Sequence, residues 1–396
     1  MAIAAGFSKT VTDGLILGYD TADLVNSFRG KPTTNVFTHY GTSGFGAAAN
    51  NNVTFQVNGN GTFVRLGWGQ TFGDYTIKPE DVVYKYDLGA NGCHYHGSTA
   101  TISAGQYAIM SADYYLSPDV VVENSQLLVF ENYGGSAVGG STNLPDTTPG
   151  KWHRITLVSG PAGGSGTQAS FLYPGGCGPR MSAQGFILMK NPQVEFSSSP
   201  DVSPFVNGTR TATRSLLDVK GTYTMDVTNM SFDSNGDLTF DATNDFIDTN
   251  FGINDSLTQV TMEAVVYDTK NNSGYRAIIQ NNVASDDALY IQPSNVLGFW
   301  PCTASSLTVP ANRWAHVVFS YNGSTMRYAV NGVQQVVNSS CADCLDFDFL
   351  KIGAHSAGDG ERFGGKIAVA KVYNRALTEG EINQNFGLYR TRFNLY

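Results

Sequence analysis

The stretch from Pro310 to Phe386 constrains the fold most. Apolar side chains alternate at Ala315, Val317 and Phe319, stop at Asn322 and Gly323, resume from Met326 to Val330, and stop again at Asn331 and Gly332. Alternation marks half-buried strands, and Asn-Gly between two such runs marks a type I′ hairpin, whose central positions both need positive φ. The pattern predicts a three-strand antiparallel meander opened by Trp314. A further strand is expected over Lys366–Tyr373, then a short helix ending at Phe386, with Thr378 and Glu381 at capping-box spacing.

The rest of the chain extends this grammar. A length of 396 residues exceeds one small domain, and a charged fraction of 14% with Gly 44, Tyr 20 and Phe 23 favours short strands joined by tight turns. Alternating runs fall at Val53–Val57, Phe63–Leu66, Val82–Leu88, Gln106–Leu116, Gln126–Glu131, Trp152–Val158, Ala169–Tyr173 and Phe186–Phe196. The fold class is therefore all-β, with two β-sandwich (jelly-roll) domains. The run 196–215 is polar with two prolines and reads as a linker. PGKWHRITLVSG (149–160) parallels PANRWAHVVFSYNG (310–323), so the two segments are expected to be central strands of their sandwiches.

A net charge of -9 excludes a basic groove for nucleic acid. Of the five cysteines, Cys93, Cys177, Cys302, Cys341 and Cys344, at least one must stay outside any internal pairing, and C-A-D-C lacks the second half of a zinc site. A bond from Cys302 to Cys341 or Cys344 is expected, formed after release from a reducing cytoplasm. The N-terminus MAIAAGFSKTV has no basic n-region before a long apolar core, and no run has the length of a membrane span. Membrane insertion is not expected, and a host-cytoplasmic origin without a signal peptide is.

The words WAHV, KIGA and GGKIAVAKVYNRALTEGEI, with LTFDATNDFID (238–248) and GLILGYD (14–20), resemble the laminin G-like, concanavalin A-like jelly rolls common in phage virion proteins. NSFRGKPTTNV (26–36) and PFVNGTRTAT (204–213) resemble phrases of phage structural proteins, while YAIMSADYYLS, GKWHRITLVSG and GFILMKNPQVEF resemble carbohydrate-binding-module jelly rolls. The resemblance implies residues 1–36 pairing into the C-terminal domain, a jelly roll over 37–200, a linker over 201–214 and a laminin G-like sandwich with a short C-terminal helix over 215–396. It implies a virion protein, an adhesin, fibre or decoration, whose partners are other virion proteins and host cell-surface polysaccharide, with a homo-oligomer implied. A purely architectural decoration protein and a polysaccharide depolymerase stand as alternatives.

No GxSxG, HExxH, P-loop or ExDxxE pattern occurs, so the reading is of a binding protein and not an enzyme. Sugar binding needs aromatic platforms beside hydrogen-bonding groups, and Trp68, Tyr75, Tyr133, Tyr275 and Trp300 lie in or beside Gly- or Asn-rich turns. Trp152 and Trp314 each begin an alternating strand and are expected in cores. No cofactor is required. Two metal readings are open: His94 and His96, one face of a strand but flanked by glycines that suggest a loop, and DSNGD (233–237), which begins like a calcium loop but reads better as a hairpin turn. The resemblance adds Asp241, Asp245 and Asp248 as calcium ligands at a loop rim, although Ala368 stands where the family often has an acidic residue.

Overall fold

The computed structural model describes residues 9–24, 26–37, 53–58, 62–87, 93–122, 126–131, 138–176, 185–233, 237–252, 257–269, 274–280, 288–341, 343–345, 350–355 and 361–396. The fold is all-β apart from short helices, and the chain divides into two compact units: Met1–Pro32 with Thr211–Tyr396, and Thr33–Arg210.

The first unit is a sandwich of an eight-stranded and a seven-stranded sheet. In the larger sheet the order runs Ser231–Phe232, Leu238–Asp241, Gly364–Tyr373, Val260–Asp268, Trp314–Tyr321, Met326–Val330 and Val333–Val337. Leu15–Asp20 also pairs antiparallel with Gly364–Tyr373, Leu17 opposite Val372 and Tyr19 opposite Ala370. Leu17 and Tyr19 are thereby buried in the main core, which is the apolar reason for this strand to sit here. Across the core Phe299 stacks on Phe319 with centroids 4.6 Å apart.

The predicted meander forms, with one difference at its turns. Asn331 and Gly332 both have positive φ (47° and 79°), as a two-residue hairpin demands. Asn322 has no positive φ; its Oδ1 instead accepts the backbone N–H groups of Ser324 and Thr325, closing a longer loop through the side chain. The helix also differs: it spans Glu379–Phe393, so Phe386 lies in its middle. Its start is the expected capping box of Thr378 and Glu381, and Arg375 grips Glu381 at 2.6 and 2.9 Å, pulling that carboxyl down to about 2. Asn394 ends it in the left-handed conformation (φ 54°), donating to the Arg390 carbonyl. Ile382, Asn385 and Tyr389 are the face it buries.

The second unit pairs two five-stranded sheets. One runs Gly140–Asn143, Gln126–Glu131, Gly166–Gly176, Cys93–Ile102, Val53–Asn58; the other runs Trp152–Ser159, Tyr107–Leu116, Phe186–Ser197, Val83–Asp87, Thr62–Leu66. Tyr84, Tyr86, Tyr114, Met110 and Met189 fill the core. Trp152–Ser159 is an edge strand and Trp314–Tyr321 an interior one, so the sequence echo does not mark equivalent places. Their burial explains the difference: every residue after Trp314 in its strand is buried, whereas only Ile155 and Leu157 are buried in the other. The expected linker is a built segment: Thr209–Arg210 pairs with Thr33–Thr34, Ala212–Ser215 is helical, and Ser203 and Arg210 are buried.

Candidate glycan-binding surface

In the first unit, strand register lines up one row across the seven-stranded sheet. Asp226 lies opposite Asp248, Asp248 opposite Lys351, Lys351 opposite Gln280, Gln280 opposite Ala288, and Ala288 opposite Trp300. Residues directly opposite share a face, and the alternate row (Ile247, Ile352, Ile279, Leu289, Phe299) points into the core. The row is thus on the outer face, spanning about 24 Å at the usual strand spacing, with its middle members Gln280 and Ala288 buried there and Asp248 and Trp300 reaching solvent on either side. Lys351 Nζ lies 3.5 Å from Asp248 and 4.1 Å over the Phe246 ring, so the ammonium is fixed between a charge and a ring.

Trp300 ends the row, 51% exposed, at a cis Trp300–Pro301 bond. Its partner across the strand is the small, buried Ala288. One register step along, Tyr290 faces Gly298, and a Cβ there would stand 2.7 Å from the Tyr290 hydroxyl, so glycine is what lets the ring lie flat. Tyr275, 37% exposed, meets Tyr290 edge-on at 5.2 Å. Cys302, two residues past Trp300, is disulfide-bonded to Cys341, while Cys344 is buried with its thiol 2.7 Å from the Cys341 carbonyl. The structure therefore brings Tyr275 and Trp300 to one sheet face. Lys351 was missed, and Asp248 enters as its ion-pair neighbour.

In the second unit the other two described candidates part company. Trp68 sits at a turn and is 73% exposed. Tyr75 is instead packed: its hydroxyl donates to Asp81 at 2.5 Å, Lys190 Nζ lies 3.7 Å over its ring, and Trp152 meets it at 5.8 Å. Burial and the Asp81 bond push the Tyr75 phenol up. Trp152 is half-buried on this outer face, not in the central core, with Nε1 donating to the Phe72 carbonyl at 2.9 Å. Trp314 likewise lies outside the main core, packed on Phe393 at 4.8 Å. Tyr133 lies outside the described residues.

The carboxylates proposed for calcium do not fit it. Asp241 Oδ1 accepts the N–H groups of Thr243 and Asn244 at 2.7 and 3.0 Å, and Asp245 accepts those of Asp241 and Ser231. Burial pushes Asp241 up, but those N–H groups outweigh it and hold the acid below its usual range. Burial, and then the Asp241 charge, push Asp245 up. Asp248 is on another strand beside Lys351. At the DSNGD turn, which does join two paired strands, the Lys366 ammonium bonds Asp233 and lies 3.5 Å from Asp237, where a calcium ion would have to sit. His94 and His96 lie within the strand Cys93–Ile102, not in a loop, with Gly97 itself paired opposite Thr54; their side chains lie outside the described residues. Among the described residues no group of three or more His, Cys, Asp or Glu could hold a metal ion.

Residues 241–383 match the family described as the concanavalin A-like lectin/glucanases superfamily, Laminin_G_3. With two antiparallel sheets around one core, this defines a laminin G-like jelly roll. No curated protein matches the chain. Among solved structures, the chain is similar to the botulinum neurotoxin serotype D binding domain (18% identity, 45% of this chain, 49% of that chain, TM-score 0.34). It is also similar to domain 4 of AbnA, a GH43 extracellular arabinanase from Geobacillus stearothermophilus, in complex with arabinotriose (15% identity, 44% and 92%, TM-score 0.36). A third is the binding domain of Paraclostridial Mosquitocidal Protein 1 (13%, 44% and 49%, 0.35). The alignment spans about half the length of the first of these. Among the described residues no helix is long and apolar enough to cross a membrane.

Proposed function

We propose that the protein binds glycans non-covalently through the Trp300 row, as a phage virion adhesin, fibre or decoration meeting host-surface polysaccharide. The observation that carries this reading is a half-exposed indole at one end of an outer-face row whose other end holds two carboxylates and an ammonium. A pyranose offers the complementary surface, an apolar face to stack and hydroxyls that donate and accept. Single sites of this kind are weak, and copies held on one particle gain avidity by effective concentration. That makes a homo-oligomer on the virion, held by other virion proteins, the natural setting. In this reading the jelly roll of 37–200 is a carbohydrate-binding-module-like insertion between the strand Leu15–Asp20 and the rest of its sandwich, with Trp68 as its exposed aromatic.

One observation favours a depolymerase instead: Asp226 and Asp248 stand directly opposite on neighbouring strands, and paired carboxylates are what glycoside hydrolysis uses. A glycan array of host envelope polysaccharides, run with a reducing-sugar assay, separates the readings. Binding without new reducing ends is expected. Release of reducing ends would replace the adhesin with the enzyme, and silence across the array would leave the architectural role.

A further inference from the structure

On the opposite side of the same unit, the outer face of the eight-stranded sheet carries a cleft of about 110 Å³ lined by Thr21, Asp237, Leu238, Trp314, Lys366, Ile367, Ala368 and Phe393. Its walls are apolar: the Trp314 and Phe393 rings, 4.8 Å apart at their centroids, with Ala368. Its polar edge is charged. Lys366 Nζ bonds Asp233 and lies 3.5 Å from Asp237, whose side chain is 55% exposed. An ammonium has three donors, and these two carboxylates engage two of them.

Which ligand fits follows by elimination. A small anion would meet one ammonium flanked by two carboxylates, a net repulsion. A metal cation would find its place held by Lys366. A hydrocarbon would strip water from the charges without replacing its hydrogen bonds. What remains is a neutral group with one donor, one acceptor and an apolar end. Size narrows it further, since a cavity of roughly 150 Å³ accommodates benzene and this one takes somewhat less. We propose that the cleft binds the acetamido group of an N-acetylated sugar. Its N–H donates to Asp237, its carbonyl accepts from the third Lys366 donor, and its methyl lies against Trp314 and Phe393. The site shares no side chain with the Trp300 row, and it rests on the glycan-binding reading only in taking the acetamido bearer to be a sugar.

Saturation-transfer NMR on the full chain, with methyl N-acetylglucosaminide and methyl glucoside as probes, tests it. Saturation strongest on the acetamido methyl protons, and absent for the glucoside once Trp300→Ala removes the stacking ring of the other face, is expected. Lys366→Met should weaken binding about ten-fold or more, the worth of one charge-assisted hydrogen bond. Asp237→Asn, at a more exposed position, should weaken it in the same direction with the far-UV spectrum unchanged. Equal saturation of the glucoside in Trp300→Ala, or wild-type affinity in both the Lys366 and Asp237 variants, would overturn the proposal. So would a methyl signal lost in Trp300→Ala but kept in Lys366→Met, which would move the group to the other face. Failure of the Trp300 row shows separately, as polysaccharide binding that Trp300→Ala leaves unchanged, or that the wild-type chain lacks, with the methyl signal intact.

Discussion

Replacing Glu263 by Gln should remove a large part of the first unit's stability. Glu263 lies in the middle of Val260–Asp268, completely buried, and its carboxylate is a hub. His316 Nε2 is 2.7 Å from Oε1, while the Tyr373 hydroxyl and the Asn385 amide each donate to Oε2 at 3.0 Å. Asn385 Oδ1 in turn accepts from Val11 N, so two adjacent strands, the C-terminal helix and the N-terminal segment converge on one acid. An amide has only one acceptor oxygen and must turn its N–H₂ toward donors already present. Lys371, nearly buried and bonded to Tyr389, also loses the charge that compensates it. Removing one partner of a buried ionic network costs about 3–5 kcal/mol, and that is the expected loss at pH 7. Guanidinium unfolding, with hydrogen exchange of the amides of Glu379–Phe393, reads it. The pH profile gives a second reading. Burial pushes Glu263 up, but the hydrogen bond and field of His316 and the charge of Lys371 outweigh it, so its folded value lies below the usual carboxylate range. Its contribution is then full above about pH 4.3, the unfolded value, and is lost as pH falls through the folded one. Glu263→Gln should flatten that acid limb. A loss under about 1 kcal/mol, or an unchanged acid limb, would refute the hub.

Cys302→Ser opens a link of 39 residues and should cost about 4 kcal/mol by loop entropy, read by thermal melts with and without reductant. Gly365→Ala should cost roughly 3 kcal/mol or more in the same melts, because at φ +130° its Cβ would lie 1.9 Å from the Tyr267 carbonyl oxygen. Deleting residues 1–20 should cost about 3–6 kcal/mol through the lost burial of Leu17 and Tyr19, and should promote aggregation along the opened strand edge; light scattering at unchanged values would count against it.

What the sequence made legible were local patterns that one physical rule governs. The meander follows from alternation, the Asn331–Gly332 hairpin from positive φ, and the helix start from the Thr378–Glu381 box. Misreadings fell where a side chain or tertiary packing decided. Asn322 chose to accept two N–H groups, Trp152 met an edge, and Tyr75 was captured by Asp81 and Lys190. The Trp300 row was half visible. Tyr275 and Trp300 show themselves beside turn residues, but Lys351 and Asp248 belong to strands of two and three residues that no periodicity can register. The calcium reading of Asp241, Asp245 and Asp248 has a similar cause, since backbone N–H groups take up the first two carboxylates and Lys351 stands beside the third.

Affinity electrophoresis through gels containing host-surface polysaccharide tests the central claim most directly. The wild-type chain should be retarded, Trp300→Ala should migrate nearly as in an empty gel, and Trp152→Phe, which changes a packed ring elsewhere, should be retarded like wild type. Equal retardation of Trp300→Ala and wild type would contradict the account.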